Sequence, residues 1–295
     1  MNEGFAYRDV VGPQDAGRSV LAYLVRRYRH SDEATWRRRI SRGEVRIGDG
    51  AAGPGELLRA GESLVWARPP WDEPEVPCHF EIVHRDEDLL AVDKPRGLPT
   101  LPNGGFLTHT LLHLVRRKFP EAVPMHRLGR GTSGLVLFTL TPDARRTVAA
   151  AWRDARVEKI YRALVAGVPV RDAVTIETPI GLLPHPRLGF VHAASSAGKY
   201  AVSHVRVLAR REDSALVEVR IETGRPHQIR IHMAAAGYPL VGDSLYVTGG
   251  VPSSDPGLPG DGGYLLHAHR LGLTHPATGQ PLAFEAPLPV DLIPL

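Results

Sequence analysis

Pro124-Met-His-Arg-Leu-Gly-Arg-Gly-Thr-Ser-Gly-Leu-Val-Leu-Phe138 opens with charge and glycine and closes as an apolar run of β character. A loop feeding a buried strand is the simplest reading of that order. Arg127 and Arg130 stand beside Gly129, Gly131 and Gly134, so the backbone can approach a ligand while two guanidiniums face it. Such a surface suits a phosphate backbone. A glycine-rich turn carrying two solvated arginines fits the same residues. The stretch holds no carboxylate.

The chain around it has 295 residues, enough for one large domain and a small one. Hydrophobic residues make up 43% and charged residues 23%, a globular composition. The net charge is +4, and Lys94, Lys118, Lys159 and Lys199 are the only lysines, so the basic character is arginine's. That balance favours polyanionic partners. Cys78 is the single cysteine, which excludes an intrachain disulfide and a cysteine-rich metal site. No apolar run is long enough for a bilayer, and the N-terminus lacks a secretory pattern. A cytosolic protein without membrane association is expected.

Going back to the start, Val20, Leu21, Leu24, Val25 and Tyr28 share one face of a helix over 18–30, with Arg26, Arg27 and Arg29 opposite. Ser31 and Asp32 can cap a second helix carrying Trp36, Arg37, Arg38, Arg39 and Ile40. Strands are expected at 43–48 and 61–66. Residues 18–46 hold nine arginines against Asp32, Glu33 and Glu44, which reads as a nucleic-acid footprint centred on Arg37, Arg38 and Arg39. Two helices, the Ile40-Ser-Arg-Gly-Glu-Val-Arg-Ile47 segment and the Leu-x-Ala-Gly-Glu strand entry resemble the small alpha-L-type RNA-binding domain of a ribosomal small-subunit protein. Residues 1–68 are assigned to it, and the proline-rich stretch 69–78 to a linker.

Beyond the linker, strands are expected at 80–83 and 89–92, helices at 108–119 and 142–156, and a half-buried strand at 158–166. On that pleat Lys159 and Tyr161 point the same way. Two long adjacent strands follow at 202–208 and 215–221. Glu222 to His232 is a second polar cluster, preceding a helix through 233–237. Arg225, His227, Gln228, Arg230 and His232 are too dense for an ordinary buried segment and need anionic or hydrogen-bonding partners. The glycine- and proline-rich stretch 247–263 reads as mobile, and a strand resumes at 265–271.

Phosphate-loop, dinucleotide, zinc-protease and nucleophile-elbow templates all fail. The polar segments taken together do match something. Pro-x-His-Arg-Leu-x-Arg-x-Thr-Ser-Gly-Leu, Val-Glu-Lys-x-Tyr-x-Ala-Leu-Val and Thr-Gly-Arg-Pro-His-Gln-Ile-Arg-Ile-His resemble, in order and spacing, the RluA-type pseudouridine synthases. Asp93-Lys-Pro-x-Gly-Leu98, Gly237-Tyr-Pro-Leu-Val-Gly-Asp-Ser-x-Tyr246 and Leu-His-Ala-x-x-Leu-x-x-x-His-Pro extend the resemblance over 79–290.

The resemblance implies an α+β fold, with a mostly antiparallel mixed sheet in a catalytic domain over 79–295. It also implies isomerisation of uridine to pseudouridine in ribosomal or transfer RNA, without cofactor or metal; a monomer is expected. By the same resemblance Tyr161 lies beneath the extruded uracil, and Arg225 is the buried arginine that pairs with the catalytic aspartate. Arg127 enters the vacated stack or holds the adjacent phosphate. His126, Arg130, Thr132, His227, Gln228 and Arg230 belong to the same RNA-binding set. The family's aspartate follows His-Arg-Leu, and here that position is Gly129, which can neither attack a sugar nor take its proton. Asp93 and Asp243 are the acids nearest the matched motifs. A catalytically silent RNA-binding relative, acting in RNA folding or ribosome assembly, is the alternative.

Overall fold

The structure, a computed structural model, describes residues 1–28 and 30–294. Arg29, assigned above to the basic face of the first helix, lies outside the described residues. The chain divides into two compact units, Met1–Glu73 and Pro74–Leu295, the division falling inside the proline-rich stretch.

The first unit runs β1 (Phe5–Val10), α1 (Val20–Arg27), α2 (Glu33–Ser41), β2 (Val45–Ile47), β3 (Gly50–Ala51) and β4 (Ser63–Arg68), with an antiparallel sheet in the order β1-β4-β2-β3. Both helices start at a side-chain cap: the Ser19 hydroxyl accepts from the Ala22 N–H and the Asp32 carboxylate from the Thr35 N–H. The apolar faces then meet the sheet around Leu24, Trp36, Leu64 and Trp66, each at most 2% exposed.

The second unit contains β5 (Glu81–Arg85), β6 (Leu89–Lys94), α3 (Leu111–Lys118), β7 (Val123–Pro124), β8 (Ser133–Thr139), α4 (Pro142–Arg153) and β9 (Glu158–Ala166). It continues through β10 (Ala173–Ile176), β11 (Ile180–His185), β12 (Gly189–Ala194), β13 (Ser203–Arg210), β14 (Ser214–Ile221) and α5 (Gln228–Ala235). The short β15 (Tyr246–Val247) and β16 (Val251–Pro252) precede β17 (Leu266–Thr274) and β18 (Pro281–Glu285). Its main sheet has the order β10-β13-β14-β9-β17-β8-β6-β5, with β18 on β17 and β7 on β8. β17 pairs parallel with β8, while the other neighbours in this sheet are antiparallel.

Strands β6 and β8 read as continuous apolar runs because both faces are covered. Leu90, Val92, Val136 and Phe138 pack with Leu111 and Val115 of α3; Leu89, Ala91, Leu135 and Leu137 pack with Val148 and Ala151 of α4. At the parallel crossing Gly134 has φ +106°, and a Cβ there would overlap the Ala268 backbone. That close approach requires glycine.

Two expectations change here. Residues 228–232 do not precede a helix; they form most of α5. The stretch 247–263 is tied down rather than loose. Arg187 donates to Pro256 O, Arg230 to Pro259 O and Arg130 to Gly260 O, and the His185 ring bonds Gly257 O.

Candidate active site

Register across the sheet places Lys94, Gly134, Ala268, Tyr161, Val219 and Val205 in one row. Side chains opposite one another in register share a face. Tyr161 therefore has Ala268 and then Gly134 in line on one side, where the backbones of β8 and β17 approach closely. Its ring packs on both core clusters that meet there, one with Leu128 and Ala268, the other with Ile229 and Tyr264. Burial raises the Tyr161 phenol to about 12, so it stays protonated, and its hydroxyl has no partner among the described residues. Beneath the row Lys94 is fully buried, its ammonium donating to Pro95 O and Leu98 O, and burial lowers it to about 7.

The loop from the first motif comes down on Tyr264, a residue only 1% exposed. Its hydroxyl bonds the Thr132 hydroxyl at 3.2 Å. A Cβ at residue 129 would stand 3.0 Å from that phenol oxygen, and one at residue 131 only 2.8 Å from the ring atoms Cε1 and Cζ. The two glycines admit the ring. On its other contact Tyr264 carries the Arg230 guanidinium, 4.1 Å from the ring centroid.

Arg230 is the buried arginine of the site. Its Nε and Nη2 donate to the two oxygens of Asp243, each at 2.7 Å, with the two side chains 3% and 0% exposed. This fork-to-fork pairing is the strongest ion-pair geometry available to the two groups. Asp243 also accepts the Leu245 and Tyr246 N–H groups. Its carboxylate is fully engaged and cannot replace an acid at position 129. Asp93 does not replace it either. It alternates with Lys94 along β6, which puts it on the face opposite Tyr161. Burial first, and Glu81 as a lesser cause, raise it to about 6.

The expected pairing of Arg225 with a buried acid is therefore replaced by Arg230 with Asp243. Arg225 is only half-buried and donates Nε to the Tyr200 carbonyl at 3.0 Å. Two residues on, the chain turns through a left-handed His227, φ +56°. From there the helix carries Arg230 inward and leaves Arg225 outside.

Several other residues assigned to RNA contact are occupied within the fold. His126 stacks on Trp152 at 4.8 Å between centroids and its Nε2 accepts the Leu137 N–H; burial lowers it to about 4. Gln228, 3% exposed, accepts from Thr223 and the Arg225 N–H, and donates to Val202 O and Ser203 Oγ. Thr132 is buried against Tyr264, and Arg130 braces Gly260. In the first unit Arg39 lies in the angle of the edge-to-face Trp36 and Trp66 rings, 4.6 and 4.5 Å from their centroids, while Arg37 and Arg38 are exposed.

Arg127 and His227 remain available. Arg127 is exposed; burial is the main cause that lowers the His192 and His227 rings, and Arg127 beside them is a lesser one. His192 on the β11–β12 hairpin, Tyr246 and Tyr264 are the site residues the sequence reading missed. The Gly-Asp-Ser-x-Tyr match already held Asp243 and Tyr246, but nothing local to Tyr264 shows that it meets residue 129.

Residues 88–235 match the RNA pseudouridylate synthase family. The chain is 44% identical to an uncharacterized RNA pseudouridine synthase of Synechocystis, over 93% of this chain and 95% of that one. It is 36% identical to ribosomal large subunit pseudouridine synthase D of Neisseria meningitidis, over 93% of this chain and 76% of the relative. Among solved structures, human RNA pseudouridylate synthase domain containing 1 superposes with a TM-score of 0.60 at 26% identity, covering 75% of this chain and 89% of that one.

Proposed function

The chain belongs to the RluA-type RNA pseudouridine synthases, and on that premise we propose that it isomerises a uridine of ribosomal or transfer RNA to pseudouridine. The uridine leaves its stack and enters the cleft between Tyr161 and Arg127. The C1′–N1 bond breaks, the uracil turns, and C1′ joins C5; the C5 proton leaves and N1 gains one, so nothing is consumed. Extrusion costs a few kcal/mol, offset by the Tyr161 ring and by the Arg127 guanidinium, which can fill the vacated stack. The first unit supplies sequence-independent affinity through Arg37 and Arg38. The protein works as a cytoplasmic monomer.

The observation that carries this reading is that Tyr161 of the second motif packs against both the cluster holding Leu128 of the first motif and the cluster holding Ile229 of the third. The Tyr264 and Thr132 hydroxyls are the groups nearest a Cβ at position 129. A second reading, RNA binding without isomerisation, is favoured by Gly129 itself and by the closure of Asp243 on Arg230. Incubating the protein with RNA from a strain lacking its gene, and mapping pseudouridine by chemically induced reverse-transcription stops, separates the two. A new stop at a defined uridine is expected. Tight binding with no new stop overturns the first reading in favour of the second.

A further inference from the structure

His227 is held by a hydrogen-bond chain whose direction can be worked out. The Tyr246 hydroxyl lies 2.6 Å from the His192 carbonyl oxygen, and a carbonyl can only accept, so the phenol proton is spent there. The same phenol oxygen lies 2.7 Å from His227 Nδ1. With its own proton pointed away, it can only accept from the ring, so Nδ1 carries a hydrogen. The ring is also neutral. Burial first, then Arg230, His192 and Arg127, lower it to about 3, with Asp243 opposing. A neutral imidazole protonated at Nδ1 has a bare lone pair at Nε2. No described residue bonds that atom, and the residue is part-exposed.

The backbone fixes this acceptor as well. His227 sits in the left-handed region at the N-cap of α5, between Pro226 and Gln228, and its side chain does not cap the helix. The ring is held at Nδ1 alone and turns Nε2 away from Tyr246. Beside it the exposed Arg127 can only donate. The site thus offers one fixed acceptor beside one cationic donor.

Uracil has the complementary edge, an N3–H between two carbonyl oxygens. Cytosine presents a lone pair at N3 and would face His227 with two acceptors opposed. We propose that His227 Nε2 accepts the N3–H of the extruded uracil, with Tyr246 as the positioning residue that locks its tautomer, so that this pair selects uridine over cytidine. The inference rests on the cleft receiving a pyrimidine nucleotide, as argued above. A merely structural histidine would need no particular tautomer on its open side.

Nitrogen NMR of the histidine rings in the full chain tests it, with uridine monophosphate, its N3-methyl derivative and cytidine monophosphate added to millimolar concentration as probes. The His227 Nε2 signal should be that of a bare acceptor from about pH 5 to 8. It should shift with uridine monophosphate, which should bind about tenfold tighter than either other probe, the scale of one hydrogen bond. Tyr246→Phe should bring the three affinities to within about threefold of one another, since it frees the tautomer. A protonated Nε2 in the free protein, or equal response to the three probes, overturns the inference and leaves the pyrimidine cleft standing. No response at any cleft residue overturns both.

Discussion

Replacing Gly131 by alanine would place a methyl carbon 2.8 Å from two atoms of the buried Tyr264 ring, whereas at Gly129 the nearest atom is the phenol oxygen at 3.0 Å. The ring is enclosed and cannot retreat, so Gly131→Ala should destabilise by about 1–3 kcal/mol, the usual cost of overpacking. Gly129→Ala should cost less, since only the far end of the ring must move. Denaturant unfolding of both variants checks this; an equal cost would mean that the ring does not hold the loop. The two arginines of the third motif separate in the same way. Arg230→Ala leaves Asp243 charged and unpaired in the interior, at a cost of about 3–5 kcal/mol. Arg225→Ala removes one hydrogen bond to a carbonyl at the surface and should cost about 1 kcal/mol or less. A reversed order would return the buried role to Arg225. The residue pattern showed that this segment needed partners, but it could not show which arginine turned inward, because that depends on the left-handed step at His227.

At the scale of elements, α2 divides its arginines between two tasks. Arg39 lies in the angle of two tryptophan rings and serves the packing of the first unit, while Arg37 and Arg38 face solvent. Arg37→Gln with Arg38→Gln should leave the melting temperature within about 2 °C and flatten the dependence of log RNA affinity on log salt by about 1.5, from two lost phosphate contacts. Arg39→Ala should instead lower unit stability by about 1–2 kcal/mol. An unchanged slope in the double variant would remove the footprint from this helix. Strand β9 was legible to the residue from the alternation of its first half, while in the second half Ala163, Leu164 and Val165 are all buried. Helix α5 was not. Its polar residues satisfy one another's neighbours inside the fold, so periodicity carries little sign of which face is buried. The β11–β12 hairpin escaped notice because Leu182 and Phe190 are exposed, which blurs the alternation.

Over the second unit, residues of the three separated motifs pack together, but through different side chains than motif order suggested. Arg127 lies near His227, Tyr161 packs against the clusters of Leu128 and Ile229, and Arg230 binds Asp243 and Tyr264. The fold class was readable because strand runs and helix caps are local. The contact between Gly129 and Tyr264 joins positions far apart in the chain and has no local signature. Acid should expose a further property of the second unit. Burial lowers His126 and His267 to about 4, and His227 to about 3, against an ordinary value of 6.5. The unfolded chain then binds more protons than the folded one below pH 6.5. The contribution of these three rings is complete above that value and is lost as pH falls toward 4, with a slope of up to about 1.4 kcal/mol per pH unit for each ring. Asp93, raised to about 6, opposes them with the slope of one group. Melting temperature against pH should fall through that window, and less steeply in His126→Asn.

The central claim is that this cleft isomerises a uridine although residue 129 carries no acid. Joining C1′ to C5 expels the hydrogen of C5, so RNA labelled with tritium at C5 of uridine reports the reaction without knowledge of the site. Tritium should be released to water to a plateau set by one site per RNA. RNA bound and fully retained label with the unaltered protein would contradict it.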